Sequence, residues 1–294
     1  MEETMPGEAA PQGAPSPYKH ISPRPLCGAL GAEIAGLDLS QPLADEVFAE
    51  IQTAFHEHIV LVFPDQTWTP AQQIAFTGRF GPVEEHPLKS RPGLPEHPEV
   101  LVLVNKPGDR GPRNDIWHSD ISFNETPPLG SVLYGLQVPE GYGDTMFCNM
   151  VAAYANLSPK LQEVLRPLRA LHSAAGLAAR NNAGNTNANA IAQVPDAVSH
   201  PVVRTHPGSG KLALYVNPWF TQCFEGMTEA ESRPLLDFLA AEATRPENVY
   251  RHRWRQRDVV MWDNRAAMHY AVRDYDENRI RIMHRTTALG DRPV

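Results

Sequence analysis

Proline constrains the fold of this chain more than any other residue, because it cannot donate a backbone hydrogen bond and it disrupts the interior of a helix. The sequence has 28 prolines among 294 residues, about one in ten where ~5% is usual. We therefore expect short strands joined by turns and loops, with few long helices. The charged fraction of only 20% excludes a coiled coil and a disordered, highly charged chain.

The length of the chain allows either one large domain or two small ones. No internal repeat and no change of composition marks a linker, so we predict one domain over residues 21–294. Residues 1–20 contain four prolines and little that could be buried. We predict a disordered tail there.

Charge and cysteine content restrict the classes of partner. The net charge is −8 and no Lys/Arg block is present, which argues against a nucleic-acid partner. The longest clean apolar run, 59–63, is far shorter than the ~20 residues of a membrane span. The three cysteines lack CxxC spacing, and we find no apolar stretch typical of a secretory signal. We therefore expect a cytoplasmic protein without a membrane or nucleic-acid partner. Separately, we expect it to act as a homo-oligomer, either a dimer or a tetramer.

Local patterns predict the order of the elements. Apolar spacing indicates a helix over 44–56 and a buried strand over 59–63. Capping boxes at Thr69 and Thr228 predict two more helices. Further strands are predicted at 100–104, 131–138, 202–205, 212–216, 259–262 and 279–289. The Ala-, Asn- and Gly-rich segment 174–192 is expected to be a mobile loop or lid with some helix. Together the pattern indicates helices in the first third and then a β-sandwich.

The strongest local motif is a histidine and an aspartate that flank a serine, His118-Ser119-Asp120. If this segment is a strand, residues i and i+2 point to the same face. An imidazole and a carboxylate side by side are two of the three ligands of the 2-His-1-carboxylate site that holds non-haem Fe(II). A lone HxD also occurs by chance on surfaces, so a third ligand is needed. Among twelve histidines, His269 is the best candidate, because it follows an apolar strand and a polar turn.

Two arginines share one face of the last predicted strand. Alternation places Arg281 and Arg285 together with Met283 between them. Arginines that face inward are costly unless they bind anions. The alternative interpretation is a pair of solvated arginines at a sheet edge.

Longer segments around these residues resemble a known family. The segments 117–128, 141–147, 200–217 and 262–293 are similar to the taurine dioxygenase family of Fe(II)/2-oxoglutarate-dependent dioxygenases, which includes the phenoxyalkanoate herbicide dioxygenases. The resemblance extends from about Leu26 to Pro293. It implies a mainly β fold with flanking helices, a double-stranded β-helix or jelly roll with iron at its mouth. It also implies Fe(II), 2-oxoglutarate as co-substrate and O₂.

The resemblance also implies roles for individual residues. His118, Asp120 and His269 match the catalytic iron ligands of the family. Arg281 matches the arginine that pairs with the distal carboxylate of 2-oxoglutarate, and Thr145 matches the hydroxyl that helps to hold the same carboxylate.

On the substrate side, four residues match positions near the bound substrate of the taurine enzymes. Arg285 matches the arginine that binds the sulfonate, and Asn114 and His86 match other substrate contacts. Lys89 stands where the taurine enzymes have a tyrosine, and the run 87–90 is more similar to phenoxypropionate dioxygenases. The resemblance thus implies hydroxylation of a small organic anion next to its heteroatom group, with release of succinate and CO₂. A taurine-like or alkylsulfonate substrate and an aryloxyalkanoate of the phenoxypropionate type both stay open.

Two alternatives come from other classes of protein. A zinc hydrolase or a cupin isomerase can use the same His/Asp/His set, but it would not need Arg281. A non-catalytic anion-binding jelly-roll module would not need all three metal ligands.

Overall fold

The computed structural model describes residues 16–85, 93–105, 114–183, 194–274 and 278–294, with only the backbone for 181–183. His86 and Lys89 lie outside these ranges, as do residues 1–15 of the predicted tail and 184–192 of the predicted lid. Residues 16–20 lie beside the first helix. There the Glu50 carboxylate accepts hydrogen bonds of 2.8 Å from the backbone N–H groups of Lys19 and His20.

Short strands dominate the fold, as the proline content predicts. The strands are β1 (Arg24–Pro25), β2 (Ala32–Glu33), β3 (Val60–Phe63), β4 (Gly93–Leu94), β5 (His97–Asn105), β6 (Gly130–Gln137), β7 (Thr145–Asn149), β8 (Arg169–His172), β9 (Val198–Pro201), β10 (Val203–Thr205), β11 (Leu212–Leu214), β12 (Thr221–Phe224), β13 (Val249–His252), β14 (Val259–Asp263), β15 (Ala267–Ala271) and β16 (Arg281–Ala288). The helices are α1 (Asp45–His58), α2 (Pro70–Gly78), α3 (Met150–Ala155), α4 (Pro159–Leu165), α5 (Ala175–Ala183) and α6 (Glu229–Ala243), with a 3₁₀ turn at Pro246–Asn248.

The helices form where local signals predict them. Helix α1 buries Phe48, Ile51 and Phe55 on one face, as their spacing indicates. Both predicted capping boxes are confirmed: the Thr69 hydroxyl accepts from the Gln72 N–H, and the Thr228 hydroxyl accepts from the Glu231 N–H. These reciprocal bonds satisfy N–H groups that a helix end leaves without a partner.

Two walls of β-structure enclose the part of the core that carries the site. The larger sheet has the strand order β1-β2-β3-β14-β6-β16-β5-β4, and the facing three-stranded sheet has the order β13-β7-β15. Between them Val260 and Trp262 of β14 pack in one cluster with Phe147 of β7. The strands predicted over 202–205 and 212–216 form as β10 and β11, which pair antiparallel.

This architecture confirms the predicted mainly β jelly-roll fold with flanking helices. Among the helices that the structure describes, none is long and apolar enough to cross a membrane.

Candidate metal centre

His118 and His269 meet across an isolated antiparallel bridge. The backbone N–H of His118 donates to the His269 carbonyl at 3.1 Å, and the His269 N–H donates back to the His118 carbonyl at 2.8 Å. The prediction of a strand over this motif is wrong in detail. After His118 the chain enters a turn that contains Asp120, and Ile121 adopts a positive φ of 49°. It is this turn, rather than strand alternation, that places the carboxylate beside the imidazoles.

The three side chains form a compact, buried set of metal-ligand atoms. Asp120 Oδ1 lies 3.8 Å from His118 Nε2 and 3.7 Å from His269 Nε2. All three candidate ligand atoms lie within 4.8 Å of one another. His118 Nδ1 lies 2.7 Å from the Ile116 carbonyl oxygen, so it donates there and leaves the Nε2 lone pair facing the site. The donor set and its spacing fit the facial triad that binds Fe(II).

The second carboxylate oxygen of Asp120 is held from the opposite side. Oδ2 accepts a hydrogen bond from Ser131 Oγ at 3.0 Å and lies 3.0 Å from Arg285 Nη2. Burial alone would raise the pKa of Asp120, but the Arg285 charge and the two imidazoles outweigh it and hold that pKa below its usual value. Burial, together with His118, holds the pKa of His269 well below its usual value. Asp120 is therefore charged and His269 neutral, which are the forms that bind a metal.

Aromatic side chains form the walls of the centre. The Trp219 ring lies edge-on to His118 with centroids 4.7 Å apart, and the Trp262 ring lies 4.8 Å from His269. Arg180 of α5 lies 5.8 Å from the Trp219 ring and forms an ion pair with Asp115. The sequence did not predict these contacts, because no motif marks Trp219 or Trp262 as part of a site.

The two residues matched to 2-oxoglutarate binding share a neighbour. Thr145 opens β7, and its hydroxyl oxygen accepts a hydrogen bond of 2.9 Å from the Trp254 indole N–H. Arg281 opens β16, and its guanidinium carbon lies 5.8 Å from the centre of the Trp254 ring. The structure therefore brings Thr145 and Arg281 around a single indole.

The substrate-side residues are only partly brought together. Arg285 lines an open cavity with Ile121 and Thr287, and the same cavity is bordered by Asn124, Glu84, Glu85 and Glu99. Asn114 is not among the residues that line it. Its carbonyl instead accepts from the Ala271 N–H at 2.9 Å, on the backbone that leads to His118.

A buried histidine is linked to the turn that carries Asp120. The Asn217 side-chain amide donates to Ser122 Oγ at 3.0 Å, and Ser122 Oγ lies within hydrogen-bond distance of His172 Nδ1, also at 3.0 Å. Burial, with a smaller contribution from nearby His200, lowers the pKa of His172 to about 3 from its ordinary value of 6.5.

Acid should therefore destabilise the fold through His172. As the pH falls from about 6.5 towards 3, His172 binds a proton in the unfolded chain but stays neutral in the folded chain. The folding stability present above pH 6.5 is therefore progressively lost. At ~1.4 kcal/mol per pKa unit, the loss is several kcal/mol. We expect His172→Gln to reduce the difference in unfolding free energy between pH 7 and pH 4.5, measured by urea denaturation. His20→Gln, at an exposed histidine, is the control, and an equal pH dependence in both variants would contradict the prediction.

The jelly roll holds a His/Asp/His triad and places Thr145 and Arg281 around one indole. These features define a class, the non-haem iron dioxygenases that use 2-oxoglutarate. Residues 22–287 match the sequence pattern of the "Taurine catabolism dioxygenase TauD, TfdA family". The chain belongs to this family, and the predicted family is confirmed. It is an Fe(II)/2-oxoglutarate-dependent dioxygenase and uses Fe(II), 2-oxoglutarate and O₂.

Relatives and solved structures cover nearly the whole chain. It is 38% identical to a 2,4-dichlorophenoxyacetate dioxygenase of Cupriavidus pinatubonensis, over 92% of this chain and 98% of the relative. It is 35% identical to a sulfate ester dioxygenase of Pseudomonas putida, over 92% of this chain and 90% of the relative. A taurine dioxygenase structure from Burkholderia xenovorans superposes with a TM-score of 0.79 at 34% identity, covering 94% of this chain and 93% of that one.

Proposed function

We propose that this enzyme hydroxylates a small organic anion next to its heteroatom group, while 2-oxoglutarate is converted to succinate and CO₂. The observation that carries the proposal is the position of Arg285. This arginine is only 4% exposed, contacts Asp120 Oδ2 at 3.0 Å and lines the open cavity beside the triad. Asp120 compensates the charge of Arg285, but the buried Nε of this guanidinium has no hydrogen-bond partner among the described residues. An unused buried donor at the boundary of cavity and metal centre favours an anionic group there.

In this proposal His118, Asp120 and His269 hold the iron. The bound iron supplies the activation of O₂ and the oxidative chemistry. Asp120 binds through Oδ1, because Ser131 and Arg285 occupy Oδ2. Thr145 and Arg281 hold the distal carboxylate of 2-oxoglutarate, and an arginine fork suits a carboxylate well. The buried position of the triad keeps bulk water from the reacting carbon.

For the primary substrate we favour a taurine-like or alkylsulfonate anion, with an aryloxyalkanoate of the phenoxypropionate type as the alternative. Both present an anion to Arg285, and the relatives include an enzyme named for an aryloxy acid and one named for sulfate esters. His86, Lys89 and Asn114 are proposed as the further substrate contacts. The family match and the buried, complete ligand triad argue against the non-catalytic anion-binding module.

We also propose that residues 21–294 form one catalytic domain after a tail over 1–20. The match over residues 22–287 supports this division. The net charge of −8 and the scattered cysteines support action in the cytoplasm on a free small molecule, without a nucleic-acid or membrane partner. We propose a homo-oligomer, a dimer or a tetramer, which light scattering after size exclusion tests.

The test of the substrate class is a screen of succinate release. The Fe(II)-loaded enzyme is incubated with 2-oxoglutarate, O₂ and members of four anion classes: sulfonates, sulfate esters, aryloxy acids and phosphonates. We expect at least one class to raise succinate release well above the rate without primary substrate. Arg285→Gln should lose that stimulation, whereas Arg233→Gln, at an exposed arginine of α6, should keep it. Stimulation that survives in Arg285→Gln would contradict the anion-binding role.

A further inference from the structure

Trp254 fixes the direction of the Thr145 hydroxyl. The indole N–H can only donate, so in the 2.9 Å contact Thr145 Oγ1 must accept. The hydroxyl hydrogen of Thr145 therefore points away from Trp254 and is available to another acceptor. Both side chains are buried, at 4% and 3% exposure, where a hydrogen bond is strong and an unused donor is costly.

The indole itself is held from several sides. Trp254 follows β13, which pairs with β7 so that His252 lies opposite Thr145. The His252 ring meets the indole edge-on at 4.7 Å, and His252 Nδ1 is bonded to the Tyr250 hydroxyl at 2.9 Å. On another side the indole packs close to Gly135, where a Cβ would lie in van der Waals contact with Trp254 Cε3, at 3.4 Å. The N–H direction is thus set by the fold and not by a free rotamer.

The Trp254 indole also faces Arg281, the second residue assigned to 2-oxoglutarate. The guanidinium carbon of Arg281 lies 5.8 Å from the Trp254 ring centre, within the ~6 Å range of a cation–π contact. One side chain therefore contacts both the hydroxyl and the arginine.

We propose that Trp254 is a positioning residue for 2-oxoglutarate, which acts by directing the Thr145 hydroxyl towards the distal carboxylate. The inference rests on the proposed roles of Thr145 and Arg281. It gives a function to a tryptophan that no sequence motif marks. By accepting from Trp254, Thr145 Oγ1 also becomes a better donor, because hydrogen bonds in a chain polarise one another.

A pair of ligands isolates this effect from general damage to the fold. 2-Oxopentanoate keeps the keto acid end of 2-oxoglutarate and has a methyl group in place of the distal carboxylate. Calorimetric titration of both into anaerobic Fe(II)-loaded protein gives two dissociation constants, and their ratio reports on the distal carboxylate alone. We expect Trp254→Phe, which keeps an aromatic face for Arg281, to weaken 2-oxoglutarate binding about tenfold. Without the indole N–H the Thr145 hydroxyl is no longer directed at the distal carboxylate, and its charge-assisted hydrogen bond is lost. Its affinity for 2-oxopentanoate should not change.

Four further variants complete the design. Trp68→Phe is the matched control, because Trp68 is a buried tryptophan whose indole N–H has no hydrogen-bond partner in the described ranges, and it should leave the ratio unchanged. Thr145→Val should lose about as much as Trp254→Phe, and the double variant no more than Thr145→Val, since the indole acts through the hydroxyl. Thr145→Ser should keep the wild-type ratio.

Two results would overturn the inference, and they are distinguishable. If the wild-type protein does not prefer 2-oxoglutarate to 2-oxopentanoate, the proposed co-substrate site itself fails. If the wild type does prefer it but Trp254→Phe has the wild-type ratio, or loses no more than Trp68→Phe, only the role of Trp254 fails. Should Trp254→Phe not fold, 3-benzothienylalanine at position 254 replaces the N–H with sulfur at nearly unchanged shape and carries the same test.

Discussion

Replacing Asp120 with alanine is expected to abolish both retention of Fe(II) and turnover of 2-oxoglutarate. The variant removes the only carboxylate of the candidate triad. It also leaves the positive charge of Arg285 buried without the carboxylate that compensates it. His118→Ala should have the same effect on iron and turnover. The measurements are bound iron after anaerobic dialysis and succinate formation, with circular dichroism to show that the fold is intact.

The control for these variants is Asp237→Ala, which removes an exposed carboxylate of α6 that is not a member of the triad. It should retain iron and turnover at wild-type levels. Unchanged turnover in a folded Asp120→Ala or His118→Ala protein would contradict the ligand assignment.

Replacing Arg281 with alanine is expected to raise the apparent KM for 2-oxoglutarate strongly. Breaking a charge-assisted pair between a guanidinium and a carboxylate costs about 2–5 kcal/mol, or roughly 30- to 4000-fold. The measurement is succinate formation at varied 2-oxoglutarate and saturating primary substrate, with metal content checked in parallel.

Arg279→Ala provides the matched control, because Arg279 lies two residues earlier and its guanidinium carbon lies 4.1 Å from the Tyr142 ring centre. It should have a near-normal KM. If instead Arg281→Ala leaves 2-oxoglutarate unaffected and only the primary substrate binds worse, the assigned roles of Arg281 and Arg285 must be exchanged.

The sequence by itself determined features that depend on residues close together in the chain. The apolar spacing of α1 and the capping boxes at Thr69 and Thr228 are local, because a helix forms its hydrogen bonds within one turn. The HxD spacing and the alternation of Met283 and Arg285, both of which are buried, are local in the same sense. The family resemblance added Thr145, whose residue type alone carries little signal, and the assignment of Arg281 to 2-oxoglutarate.

The sequence patterns did not predict several short strands, among them β7, β8, β12, β13 and β15. Each has only four or five residues, too few for a period of two to stand out. Such strands form because a partner strand satisfies their backbone groups, and that partner is distant in the sequence. The segment around His118 is also too short for its sequence to show whether it is a strand. Here the chain makes only an isolated bridge and then turns.

Only the tertiary structure decided how the site is assembled. The bridge between His118 and His269 and the contact of Arg285 with Asp120 each join segments more than a hundred residues apart in sequence. The bond from Trp254 to Thr145 is of the same kind. The sequence determined which side chains could bind a metal and an anion, since that follows from their chemistry. Which of them meet, and in which protonation state, followed from strand pairing and burial, because distance and desolvation arise only once the chain is folded.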